Sequence, residues 1–412
     1  MADEEANHYF LSLIAKYESQ VSLPAKCPAM NRGPWTVILT GSTGSMGIYL
    51  LSAMQACPRA KIRRIYCLNR SADARERHIK ELKDRQLPAL DDSRVTFLTA
   101  IFGAANFGID SAIYKRLKDE VTLILHNAWP VNFLMTVDDF LPHVDGVRDF
   151  LQFSYDSPRN PPVLFVSSLA SSFVACPDGI REAVHDRPHL IPDYGYGRSK
   201  YLSERMVEKY TKATGLPAAI LRVDQVGGPI NSGGMWPRRE WFPTLLRSSL
   251  YLGVLPGDLG NGDAIQWLPV DVLPQIVIEI ADDIIDSVAA GKFTRRIFNL
   301  TNPKRGTFAA ILPALRGISR TTVSFEEWIT MLADIAARSD AEKRRQIPGW
   351  KLAPFLKTWI SPSGSANVST GNLESASRTA REIPGVNLAW MEQWLRQWEL
   401  PTAPSLAGVP RL

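Results

Sequence analysis

Tyr196 and Lys200 stand four residues apart in Tyr196-Gly-Arg-Ser-Lys200, and on a helix that spacing puts both side chains on one face. An ammonium near a phenol favours the phenolate, which lowers the phenol pKa and makes tyrosine a proton donor and acceptor near neutral pH. Many helices carry this spacing by chance, so the chemistry depends on what accompanies it. Upstream lie Thr40-Gly-Ser-Thr-Gly-Ser-Met-Gly47 and a serine pair, Ser167 and Ser168, that closes an apolar run. A carbonyl that accepts hydride develops negative charge on oxygen, and that oxygen must be hydrogen-bonded and protonated as the charge forms. Tyr196 is therefore expected to donate the proton, Ser168 to bind the oxygen, and Lys200 to hold ribose hydroxyls while depressing the tyrosine pKa. Ser167 is the rival serine and Ser171 a more distant one. Together these groups point to a nicotinamide-dependent reductase.

Such groups need a sheet to position them. Thr36-Val-Ile-Leu-Thr40 is an apolar, β-branched run of the kind that forms a strand buried on both faces. It leads directly into Gly41-x-x-Gly44-x-x-Gly47, and residues 48–56 follow with a helical pattern. Glycines allow a tight turn and close backbone approach, while the helix N-terminus offers N–H groups to a pyrophosphate. A second strand, Arg64–Leu68, ends in Asn69-Arg70, where an acid would bind the ribose 2′-hydroxyl of NAD. Arg70 stands there instead, with Arg75 and Arg77 close behind. A guanidinium suits a 2′-phosphate, so NADPH is expected over NADH; Arg75 and Arg77 could equally solvate a helix face.

Further strands are expected at residues 94–100, 121–125, 163–166 and 218–222, with helices at 111–119 and 140–155 between them. This alternation predicts an α/β fold, a Rossmann-type doubly wound parallel sheet. Gly41, Asn127 and Ser168 then fall at the carboxyl ends of strands, where such sheets bind ligands. The expected organisation is an N-terminal helix (residues 8–20) and linker over 1–34, then an NADPH-binding domain over 35–228. A smaller, mostly helical substrate-binding cap would follow over 229–412, closing over the nicotinamide end. Its helices are expected at 271–289, 325–345 and 387–398, with a frayed tail from Leu400.

Composition narrows the class. The chain has 412 residues, 45% hydrophobic and 22% charged, with a net charge of +5, the profile of a soluble globular protein. The basic residues are scattered, so no nucleic-acid partner is expected. No apolar run is long enough to span a bilayer, and the acidic start lacks the pattern of a secretion signal. A cytoplasmic monomer is the expectation. Cys27, Cys57, Cys67 and Cys176 show no metal-site spacing and no disulfide framework. His126, His143, His185 and His189 likewise lack metal spacing and read as structural, so no metal is expected. Asp224 receives no role; Trp236, Trp241 and Trp267 suit either a substrate pocket or aromatic packing.

The glycine turn, Ile65-Tyr-Cys-Leu-Asn-Arg70, His126-Asn-Ala-Trp-Pro-Val-Asn132 and Tyr196–Lys200 resemble the extended short-chain dehydrogenases. More narrowly they resemble the thioester reductase domains of fungal carboxylic acid reductases and enzymes like nonribosomal peptide synthetases. Trp267-Leu-Pro-Val-Asp271, Phe298-Asn-Leu-Thr-Asn-Pro303 and Trp390-Met-Glu-Gln-Trp394 extend the likeness. The resemblance implies NADPH-dependent reduction of an acyl thioester, held on a carrier-protein phosphopantetheine arm or on CoA, to an aldehyde or alcohol. It implies that Gly41, Ser42, Thr43, Gly44, Met46 and Gly47 hold the pyrophosphate and Arg70 the 2′-phosphate, with Asn69 also cofactor-binding, and that Asn127 and Ala128 line the cofactor groove. It also places Tyr9 to Tyr17 in the segment that joins carrier protein to reductase. Two positions depart from the pattern: Thr99-Ala-Ile-Phe102 lacks the acid that contacts adenine, and Arg222-Val-Asp-Gln225 carries Asp224 in place of glycine. Two other functions share the same sequence features. One is reduction of a free aldehyde or ketone; the other is NADPH sensing without turnover, which the retained tyrosine and lysine disfavour.

Overall fold

The structure is a computed structural model describing residues 2–29, 33–172, 179–191, 194–231, 233–294, 296–338, 341–360 and 367–402. The chain divides into two units. The first comprises Met1–Asp224, Val270–Thr301 and Asn367–Arg381; the second comprises Gln225–Pro269, Asn302–Ala366 and Glu382–Leu412.

The first unit is built on seven strands. They are β1 (Trp35–Thr40), β2 (Ile62–Asn69), β3 (Val95–Thr99), β4 (Leu123–His126), β5 (Val163–Ser168), β6 (Ala218–Val223) and an edge strand, Ile297–Leu300. Their spatial order is Ile297–Leu300, β6, β5, β4, β1, β2, β3, and every neighbouring pair is parallel. The strand order reverses between β1 and β4, which is where a doubly wound sheet opens its ligand crevice. Helices α1 (Ala2–Gln20), α2 (Ser45–Ala56), α3 (Ala74–Asp84), α4 (Ser111–Glu120), α5 (Leu141–Asp156) and α6 (Gly195–Thr214) surround it. Residues of β1 and β4 are buried throughout, as unbroken apolar strands covered on both faces should be.

In the first unit two features differ from the sequence expectation. The division expected at residue 228 lies close to the crossing after Asp224, yet Val270–Thr301 and Asn367–Arg381 return to the first unit. Without Ile297–Leu300, β6 would present a bare edge. That short strand pairs with it from Ile297 opposite Ile220 to Leu300 opposite Val223. Helix α1 is also no separate segment. Phe10, Leu13, Ile14, Tyr17 and Val21 recur at helical spacing and are buried in the first unit's core. The helix starts earlier than residue 8, with Glu4 and Glu5 in its first turns, where negative charge suits the helix dipole. Arg198 fastens it to α6, reaching Asn7 Oδ1 at 2.6 Å and the Ala6 carbonyl at 3.3 Å. Arg205 adds an ion pair with Glu18 at 2.7 Å.

The second unit has an aromatic core. Trp236 packs against Trp394, Trp398, Trp267 and Phe242, with ring centroids 5.0 to 5.8 Å apart. Buried indoles need a partner for N–H: Trp394 donates to the Pro229 carbonyl, Trp398 to the Trp236 carbonyl and Trp236 to Glu240. Trp236 and Trp267 are therefore core residues, and half-buried Trp241 donates to Gln225 Oε1 at 2.6 Å. The expected 325–345 helix is two helices, Phe325–Arg338 and Ala341–Gln346.

Candidate active site

The glycine turn closes on itself and on the end of β4. Gly41 has a φ of +67°, a conformation that favours glycine. A Cβ there would stand 2.9 Å from the Ala128 Cα, and one on Gly47 would stand 2.0 Å from the Gly41 oxygen. Thr40, which the motif did not single out, is the hub beneath the turn. Its Oγ1 accepts the backbone N–H groups of Asn127 and Ala128, both at 2.9 Å, and lies 3.0 Å from His126 Nδ1. Asn127 Nδ2 reaches the Gly41 oxygen at 3.3 Å. The pieces expected at the cofactor groove are thus brought together.

Helix α2 begins at this turn with Gly44 as N-cap, no side-chain cap and no acid in its first turn. Its first N–H groups and positive dipole end fit a pyrophosphate. Thr43 and Met46 are half-buried and Gly44 is exposed, whereas Ser42 is fully buried. The Ser42 hydroxyl donates to Asn69 Oδ1 at 3.1 Å and its carbonyl meets His78 Nδ1, so only backbone of Ser42 is left for a ligand. Asn69 is correspondingly a support for the turn. Arg70, the next residue, is exposed and has no ion pair among the described residues. Arg75 forms a two-pronged pair with Asp92 at 2.7 and 3.0 Å, and Arg77 lies 3.8 Å from Asp73. Those two arginines belong to the solvated surface of α3, and Arg70 is the cation at the end of β2.

Tyr196, Lys200 and Glu204 form one buried stripe along α6, each four residues beyond the last. Tyr196 packs edge-on to Phe133 and Phe140, at 5.2 and 6.1 Å. Lys200 Nζ donates to the Val166 carbonyl at 2.7 Å and lies 4.0 Å from the centre of the Trp129 ring. This corrects the expected electrostatics. Burial pushes the Tyr196 phenol up and its hydrogen bond with Ser168 pulls it down. Lys200 is itself driven well below its ordinary value by burial, with Glu204 opposing. In this state Ser168, rather than Lys200, favours the phenolate.

The three serines separate by partner. Ser167 and Ser171 each place Oγ 2.6 Å from Glu204 Oε1. Glu204 is paired in turn with Arg222, Nη2 to Oε2 at 2.6 Å, both side chains fully buried. Ser168 is not held by Glu204; its Oγ accepts the Ala170 N–H at 3.2 Å, and it is the serine that draws the Tyr196 phenol down. Sequence reasoning missed Glu204 and Arg222, although Glu204 continues the Tyr196–Lys200 spacing by one more step. Breaking so enclosed an ion pair by removing one partner costs about 3–5 kcal/mol.

His126 is fully enclosed and His143 half-buried, whereas His189 is exposed. Burial holds His126 down to about 3 and His143 down to about 4, with Lys200 adding to both. His185 stacks on Tyr201. No group of metal-ligating side chains occurs among the described residues, and Cys176 lies outside them. No helix among them is long and apolar enough to cross a membrane. At the two departures, Ala100 is buried and donates to the Asn69 carbonyl, while Ile101 is exposed. Asp224 accepts from Thr301 Oγ1 at 2.7 Å.

Residues 39–277 match the profile of an NAD-binding family described as Male sterility protein. The chain is 32% identical to a carboxylic acid reductase of Neurospora crassa, over 96% of this chain and 38% of that protein. It is 29% identical to adenylate-forming reductase Nps11 of Serpula lacrymans, over 88% and 34%. It thus spans less than two-fifths of the length of these relatives. Among solved structures it resembles the terminal R domain of the myxalamid PKS-NRPS pathway, with a TM-score of 0.76 and 23% identity over 93% of this chain and 97% of that one. It also resembles the reductase domain of a Mycobacterium tuberculosis nonribosomal peptide synthetase, with a TM-score of 0.70 and 20% identity over 94% and 95%. Both likenesses confirm the Rossmann-type fold.

Proposed function

As this chain belongs to the male sterility protein family, we propose that it is an NADPH-dependent reductase that converts an acyl thioester to an aldehyde. The observation that carries the reading is that Ser168, at the carboxyl end of β5, acts on the Tyr196 phenol, with Lys200 on the same helix face as Tyr196. The glycine turn and the uncapped start of α2 fit a dinucleotide pyrophosphate, and Lys200 and Tyr196 would meet its nicotinamide ribose. Arg70 supports the phosphorylated dinucleotide, because it is exposed and has no ion pair among the described residues, where NAD-binding proteins place an acid. Bound there, the reduced nicotinamide supplies hydride.

The chain's own residues handle the rest. Ser168 would hydrogen-bond the carbonyl oxygen and Tyr196 would donate its proton as charge develops there. Lys200 would offer its amine N–H groups to the ribose, turning from the Val166 carbonyl that holds it now. The protonated tetrahedral product then loses thiol to give the aldehyde. The relatives named as carboxylic acid and adenylate-forming reductases support a thioester substrate, carried on a phosphopantetheine arm or CoA. In this reading the second unit, with its tryptophan core, is the substrate-binding part of the chain.

The test follows NADPH oxidation and product identity across acyl-CoA, acyl-pantetheine and free aldehyde substrates. Thioester turnover that falls by about 100-fold or more in Tyr196→Phe is expected, the scale of losing a general acid. Undiminished turnover in that variant sinks the assignment, and turnover of aldehydes alone selects carbonyl reduction instead.

A further inference from the structure

We propose that Glu204 and Arg222 are positioning residues for Ser168, acting through the two serines on either side of it. The inference rests on the role given above to Ser168. Glu204 Oε1 lies 2.6 Å from both the Ser167 and the Ser171 hydroxyl, so one carboxylate oxygen anchors the chain before and after Ser168. The Ser171 hydroxyl also lies 2.8 Å from the Ser168 carbonyl, so its single proton is shared between that carbonyl and the carboxylate and holds the chain beside Ser168 to Glu204. Arg222, opposite Ser167 in the β5–β6 register, sets the carboxylate in turn. Its Nε approaches both carboxylate oxygens at 3.0 and 3.1 Å, and its two remaining nitrogens donate to the carbonyls of Arg181 and Ala183.

The arrangement does more than hold a strand end. The turn after β5 already closes through its own backbone bond, Ser172 N–H to the Leu169 carbonyl. What Glu204 adds is selection. Three hydroxyls crowd the span from Ser167 to Ser171, and the carboxylate occupies two of them. That leaves the Ser168 hydroxyl, the one that acts on the Tyr196 phenol, to meet a developing oxyanion. Glu204 also opposes the effect of burial on Lys200, one turn away.

Ser171→Ala removes one anchor and leaves the ion pair intact. The double variant Glu204→Met/Arg222→Met removes the pair but leaves no uncompensated charge, and such swaps commonly preserve folding. Both should keep their thermal midpoint near that of the parent and bind NADPH, followed by its fluorescence, within about twofold. Their kcat should fall by about 100-fold, the scale of misplacing a catalytic group. The alkaline limb of the kcat profile should move to higher pH as Tyr196 loses the Ser168 hydrogen bond. Unchanged kcat and pH profile in folded, NADPH-binding Ser171→Ala overturns the inference, whether or not the double variant folds. Ser168→Ala separates the two levels. If it alone loses activity, the positioning role fails; if it retains full activity, the role of Ser168 fails and this inference with it.

Discussion

Arg70 is the residue on which cofactor choice turns in the proposed reading. Three arginines follow β2, but Arg75 is held by Asp92 and Arg77 is near Asp73, and Asn69 is engaged with Ser42. Charge-assisted hydrogen bonds contribute about 1.5–3 kcal/mol. Arg70→Ala should therefore raise the KM for NADPH by about 10- to 100-fold. Turnover with NADH should stay where it is, and Arg75→Ala should change neither. Equal losses with both cofactors would place the 2′-phosphate elsewhere. At this scale the sequence was legible wherever chemistry needs a particular residue type at a fixed spacing, as with Tyr196, Lys200 and Gly41. It was illegible where a role depends on which way a hydroxyl points. Ser167, Ser168 and Ser171 are alike as letters, and only Glu204 distinguishes them.

Among the elements, the glycine turn tolerates least. A methyl on Gly47 would stand 2.0 Å from the Gly41 oxygen and 2.9 Å from backbone at Ser42, with no flexible side chain to yield. Gly47→Ala should lower the thermal midpoint by several degrees and abolish NADPH binding, which calorimetry and fluorescence titration would show. Retained binding would mean that α2 can slide away from β1 without consequence. The first six strands were legible because their apolar runs are bounded by turn residues. Ile297–Leu300 was not, since four residues with Asn299 among them carry no strand pattern, and its place comes from pairing with β6. Asn299 is buried there, donating to the carbonyls of Ile180 and Ser369. Long-range partners of this kind leave no local trace.

For the whole molecule, buried neutral histidines set an acid limit to stability. The native chain holds His126 down to about 3, whereas an unfolded chain binds that proton near the ordinary value of about 6.5. Below that pH the unfolded state carries more protons, so stability falls as pH drops, by about 1.4 kcal/mol per pH unit for His126. His143, held down to about 4, adds a smaller amount because it is partly solvated. Urea midpoints should therefore decline between pH 7.5 and 5.5. A flat profile over that range would contradict a neutral, enclosed His126.

The interleaving of the two units bears on how such a protein can change by inheritance or by design. The chain passes between them after residues 224, 269, 301, 366 and 381. A single genetic crossover after Asp224 would import a foreign second unit. It would also replace the strand that closes β6 and the Asn367–Arg381 segment that returns to the first unit. If the second unit binds substrate, as proposed, new preferences are reached more readily by point substitutions, or by exchanging its three segments together, than by shuffling one contiguous cassette.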